Sequence, residues 1–139
     1  MSRDLAKEAR RWLAQASEDL DVADLLVDHG RYAHACFLAQ QSAEKTLKAF
    51  LYARGAELVI GHSVADLCAE VARQAPDLAG RCADWATLDQ FYIPTRYPDA
   101  LPGDIPSRVY GPEQASAALS RTRDVLEEVS VRIDSDPAG

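Results

Sequence analysis

The stretch RYAHACFLAQQSAEKTLKAFLYARG, residues 31–55, decides the fold class. Within it Cys36, Ala39, Ala43, Leu47 and Phe50 follow one another at gaps of three, four, four and three, the spacing that aligns one face of an α-helix. No proline or glycine interrupts the run before Gly55, so the spacing predicts a helix over 32–54. The small side chains on its stripe permit a neighbouring helix to pack closely. Upstream, Leu5, Ala9, Trp12, Ala16, Leu20, Ala23 and Val27 repeat the same spacing and predict a helix over 4–28. Gly30 suits a left-handed C-cap, and a link as short as Gly30-Arg31 implies an antiparallel return.

Downstream, Ser63 followed by Asp66 resembles a capping box and opens a helix over 64–75, which Pro76 and Asp77 break. Leu78, Cys82, Trp85, Leu88 and Tyr92 define a fourth helix over 77–93, and Pro112 starts a fifth over 112–133 with Ala115, Leu119, Thr122, Leu126, Val129 and Ile133 inward. Five of the seven prolines lie between Pro94 and Pro112, which marks that segment as a long ordered loop or lid. Residues 134–139 read as a frayed, disordered tail. No segment alternates in the way a strand requires. The expectation is an all-α protein, an antiparallel up-and-down bundle of four to five helices in one domain over 1–139.

At 139 residues, 47% hydrophobic and 27% charged, the chain is long enough for one core and too apolar for disorder. No apolar run approaches a membrane span and the N-terminus has no signal-peptide core, so the expected location is the cytoplasm. Cys36, Cys68 and Cys82 are odd in number and far apart, which suits small core residues rather than a disulfide framework or a metal site. A net charge of −7 repels nucleic acid and anionic lipid overall, so only a local basic patch suits phosphate. Residues 31–54 supply one: Arg31, Lys45, Lys48 and Arg54 stand against Glu44 alone, a balance of +3. Gln41, Glu44, Lys45, Lys48 and Tyr52 fall on a helical stripe and form a polar rail, in which Glu44 and Lys48 at i,i+4 also fit an ordinary surface ion pair. In the segment FYIPTRYPD, residues 91–99, Pro98 biases Tyr97 towards extended backbone and lets Arg96 and Asp99 project from a stiff support. An arginine so held suits a carboxylate or a phosphate. His62, just before the Ser63 cap, fits a hydrogen-bonding role at a loop or helix end, and Trp12 and Trp85 fit core anchors.

Three blocks now carry a resemblance: Trp12-x3-Ala16-x2-Asp19-Leu20-x2-Ala23; Tyr32-x2-Ala35-x-Phe37-x2-Gln40-Gln41-x2-Glu44-Lys45-x-Leu47-Lys48-Ala49; and Tyr92-x3-Arg96-Tyr97-Pro98-Asp99. With His62-Ser63 ahead of Leu67, the chain resembles the HEPN family over roughly residues 10–133. The resemblance implies a bundle that pairs as a symmetric homodimer, with a nucleotide- or RNA-binding groove between the helix-2 rail and the loop after helix 4. Its candidate ligands here are Gln41, Glu44, Lys45, Lys48, His62, Arg96, Tyr97 and Asp99. It also implies a partner, a minimal nucleotidyltransferase subunit in a toxin–antitoxin-like pair; because no H-E-x-x-H, P-loop or G-x-G-x-x-G occurs, no cofactor or metal is expected.

Other family members are ribonucleases with an Arg-x4-6-His motif, and here the pattern departs. Arg54 and His62 are separated by seven residues, across a predicted helix end and a glycine, without the polar residue that normally follows the arginine. The chain is therefore expected to be a non-catalytic binding subunit, with no catalytic residue assigned. The alternative is a divergent ribonuclease toxin using His62 or Tyr97.

Overall fold

A computed structural model describes residues 3–134. Its elements are α1 (Arg3–Asp28), α2 (Tyr32–Ala53), α3 (Val64–Gln74), α4 (Ala79–Trp85), α5 (Pro106–Val109) and α6 (Pro112–Asp134), with 3-10 turns at Pro76–Leu78, Ala86–Phe91 and Pro98–Ala100. Among the described residues there is no strand, and no helix is long and apolar enough to cross a membrane. The all-α expectation holds. Helix α6 runs through Asp134, and the rest of the expected tail, 135–139, lies outside the described residues.

The architecture grows from the α1–α2 pair. Gly30 takes the left-handed conformation (φ 71°) that reverses the chain after α1. Trp12 then stacks on Tyr52, and Asp19 pairs with Lys45 nearer the turn, the order of an antiparallel pair. Ala9, Ala16 and Ala23 on one helix and Ala35, Ala39 and Ala43 on the other are completely buried. With no bulk between them the backbones come close enough for the Ser42 hydroxyl to donate to the Ala16 carbonyl at 2.7 Å.

Helix α6 packs across both members of the pair. Its Thr122 hydroxyl donates to the Ala39 carbonyl of α2 at 2.9 Å, and Arg123 pairs with Asp24 of α1. Helix α3 packs against the remaining side of α2 and against α4. Trp85, fully buried, closes that corner and donates its indole N–H to Asp124 of α6 at 2.9 Å. Trp12 is only half-buried.

The fourth helix is not the continuous 77–93 helix that the periodicity predicts. It is a 3-10 turn, the seven-residue α4, and a second 3-10 turn ending at Phe91. The reason lies outside the segment. In that second turn Asp89 accepts hydrogen bonds from the backbone N–H groups of Val64 and Ala65 and from the Ser63 hydroxyl, so it caps α3 from about 25 residues away. Satisfying the first turn of α3 outweighs one more turn of α-helix. The proline-rich segment is ordered, as expected, but carries helical turns at Pro98–Ala100 and Pro106–Val109 that the spacing does not reveal.

Burial pushes the Cys36 thiol up to about 12. It raises Cys68 further, with added contributions from the Cys82 thiol and the charge of Asp89. Both are protonated and buried, in keeping with core roles.

Because α1 and α2 touch through alanines, Ala16→Leu has no room. It is expected to lower stability by about 1–3 kcal/mol in urea denaturation, with an unchanged slope. A variant as stable as the parent would mean that the two helices separate freely.

Candidate functional site

Helix α2 is covered by α1, α3, α6 and the Ala86–Phe91 turn. Its polar rail is therefore largely inside the protein. The Glu44–Lys48 pair exists, at 3.4 Å, but its side chains are only 3% and 7% exposed, unlike a solvent-facing i,i+4 pair. Glu44 is fully engaged: one oxygen faces Lys48, and the other meets His62 Nδ1 at 3.2 Å and the Gln41 amide at 3.4 Å. A carboxylate only accepts, so the His62 Nδ1–H donates to it. The outer part of the imidazole is left to solvent, and the side chain is 61% exposed.

Lys45 is engaged as well, with Asp19 at 2.5 Å. Lys48 also lies 5.6 Å from the centre of the Trp12 ring. Tyr52 stacks on Trp12 and accepts the Val59 N–H, which makes it a support for the loop between α2 and α3.

Arg96 differs from both lysines. Its Nε donates to the Tyr92 carbonyl at 2.8 Å, and its guanidinium carbon lies 4.4 Å from the Phe37 ring centre, 4.6 Å from Tyr92 and 5.2 Å from Tyr97. Among the described residues no carboxylate pairs with it. The aromatic faces satisfy the cation's flat surface and leave terminal N–H groups for a ligand. Tyr92 is also the ring on which His62 stacks, with centroids 5.5 Å apart and planes 15° from parallel. One tyrosine thus joins the loop histidine to the arginine of the proline-rich segment.

The structure brings His62, Arg96 and Tyr97 together around Phe37 and Tyr92, and links Gln41, Glu44 and Lys48 to them through the Glu44–His62 contact. Phe37 and Tyr92 are half-buried by this assembly, and Tyr97 remains exposed. Lys45 faces α1 instead. Asp99 lies exposed on the Pro98–Ala100 turn, beside a shallow cavity with Asp104 and Arg108, and makes no hydrogen bond or ion pair with the rail. Arg54 lies over Phe50 at the end of α2, whereas His62 pairs with Glu44 and Tyr92.

Two further residues hold the site. The Gln40 amide, completely buried, donates to the His62 carbonyl at 3.0 Å, and Asp89 fixes the adjoining start of α3. Together they set the backbone from which the His62 ring projects. Gln40 belongs to the helix-2 block in the sequence, but no local pattern marks Asp89, whose partners are 24 to 26 residues upstream.

This chain shares its small helical bundle with solved structures. A model of the HEPN domain matches residues 9–132, and the chain belongs to the HEPN domain family. The crystal structure of TT1696 from Thermus thermophilus is similar at a TM-score of 0.78 and 40% identity, covering 88% of this chain and 96% of that one. ST0689, described as an archaeal HEPN homologue, is similar at a TM-score of 0.72 and 31% identity, covering 96% and 99%. The protein named "Putative toxin MJ1304" of Methanocaldococcus jannaschii is 26% identical over 132 residues, 88% of this chain and 86% of its own length.

Removing one partner of a buried ion pair leaves the other charge unsolvated. Glu44→Ala is therefore expected to cost about 3–5 kcal/mol in urea denaturation, and Glu44→Leu combined with Lys48→Met should cost far less. Equal costs for the single and double variants would show that Lys48 does not depend on Glu44.

Proposed function

We propose that the groove between α2 and the 92–97 segment binds the phosphate and base of a nucleotide or RNA, and that the chain acts as a homodimeric binding subunit. Its partner is a minimal nucleotidyltransferase in a toxin–antitoxin-like pair. The observation that carries the reading is Arg96: a half-buried guanidinium on three aromatic rings, without a carboxylate, beside lysines that are already neutralised. Phosphate suits the free N–H groups. A base has Tyr97 and the open face of His62 to stack on. The name of the archaeal relative, a toxin, fits the same context.

In this reading anion recognition rests on Arg96, while Lys48 supports the site by holding Glu44 and Lys45 ties α2 to α1. An acidic protein opposes phosphate at long range, so binding should be weak and salt-sensitive. The acids of α1, among them the exposed Glu18 and Asp21, offer a complementary face to a basic partner.

A second reading, a divergent ribonuclease, is favoured by the Glu44–His62 hydrogen bond. A buried carboxylate that holds Nδ1–H leaves Nε2 as a proton acceptor, and Arg96 is the cation available for a non-bridging phosphate oxygen. Here the arginine and histidine meet through Tyr92 rather than through a motif in sequence.

Titration of ATP, GTP and short RNA into the parent and Arg96→Ala is expected to show about a tenfold or larger loss, the worth of one charge-assisted contact. Equal affinities would remove the site. Co-expression with a nucleotidyltransferase encoded beside the chain should yield a complex. No complex, together with RNA cleavage abolished by His62→Ala, would favour the ribonuclease.

A further inference from the structure

Two of the most exposed large hydrophobic side chains in the protein are neighbours. Leu58 is 75% and Ile60 77% exposed, on the loop between α2 and α3. They form the lip of a cavity of about 440 Å³ whose floor includes Leu51, Val59 and Leu67. Exposed apolar side chains around an apolar groove are a feature of docking surfaces. The loop is held open rather than collapsed into the groove. Gly55 (φ 100°) and Gly61 (φ 102°) turn the chain at its two ends, and the Tyr52 hydroxyl accepts the Val59 N–H at 3.1 Å.

The charge around the mouth identifies the occupant. Asp66 and Glu70 lie one turn apart on the α3 side, and Glu57 is exposed on the loop. Glu70 is held by Arg73 and Gln74, whereas among the described residues neither Glu57 nor the Asp66 carboxylate has a partner. The unpaired acids at this mouth attract cations, and a second copy, also of net charge −7, complements them less well than a basic partner. A second copy is therefore a poor fit. We infer that the cleft between the 56–61 loop and α3 receives an amphipathic helical segment of a partner protein, with apolar side chains at i, i+3 or i+4 flanked by lysine or arginine. The apolar row enters between Leu58, Ile60 and Leu67, and the flanking cations meet Glu57 and Asp66. This inference goes beyond the nucleotide-binding reading and stands without it.

The probe is a pair of synthetic helical peptides with one leucine spacing, one carrying lysine and the other glutamate at its polar positions, followed by amide chemical shifts of the whole protein. The lysine peptide is expected to shift residues 56–61 and 66–70 and to bind about tenfold or more tightly than the glutamate peptide. Leu58→Ser with Ile60→Ser should abolish these shifts and leave thermal unfolding unchanged, because both side chains are exposed. Three results would overturn the inference: equal binding of the two peptides, shifts confined to the acidic face of α1, or unaltered binding by the double variant. A dimer in sedimentation that the double variant converts to monomer would likewise overturn it and assign the cleft to a second copy.

Discussion

Glu44 is 3% exposed on a helix packed from several sides, and a lone carboxylate in such a place costs several kcal/mol. It is matched on both sides: Lys48, one turn along α2, faces one oxygen while His62 and Gln41 occupy the other. The rest of the groove follows from this arrangement. Lys48 is drawn inward against Trp12, which in turn stacks on Tyr52, and Tyr52 anchors the loop that carries His62 back to Glu44. The circuit closes through both polar and aromatic contacts, and it ties α1, α2 and the loop together.

The long helices are legible in the sequence because their information is local. The stripes of α1, α2 and α6, the glycine after α1 and the Ser63 cap each express themselves within a few residues, and the Ser63 hydroxyl does accept the Asp66 N–H, at 3.1 Å. The fourth helix escapes periodicity for the opposite reason. Its course is set by Asp89, which answers to backbone groups on α3. The rail is legible as a spacing, but its burial is not, because burial depends on what covers α2. Lys45 reads as a free cation in the sequence, yet its partner Asp19 stands 26 residues earlier and reaches it only once α1 has folded back.

The choice of counterion separates Lys45 and Lys48, which pair with carboxylates, from Arg96, which lies on aromatic rings as Arg54 does on Phe50. Lysine ammonium groups are compact and suit point contacts with Asp19 and Glu44. The guanidinium of Arg96 is flat, weakly hydrated and able to lie against aromatic rings, so it tolerates partial burial without a carboxylate. Phe37, Tyr92 and Tyr97 take the place of a carboxylate at Arg96, so the aromatic residues of the site matter as much as the charged ones.

The groove and the apolar cleft are joined by residues 61–63. Gly61 turns the loop, His62 faces Glu44 and Tyr92, and Ser63 begins α3 under the control of Asp89. Both His62 and Ser63 also line the cleft. A ligand that displaced this short segment at one site would change the geometry at the other, and linkage requires the effect to run equally in both directions. Gln40 and Asp89 oppose such displacement, since each would surrender hydrogen bonds to the segment or to the start of α3. The 61–63 segment owes its stiffness to the core of α2 and the first turn of α3, through Gln40 and Asp89, rather than to exposed side chains.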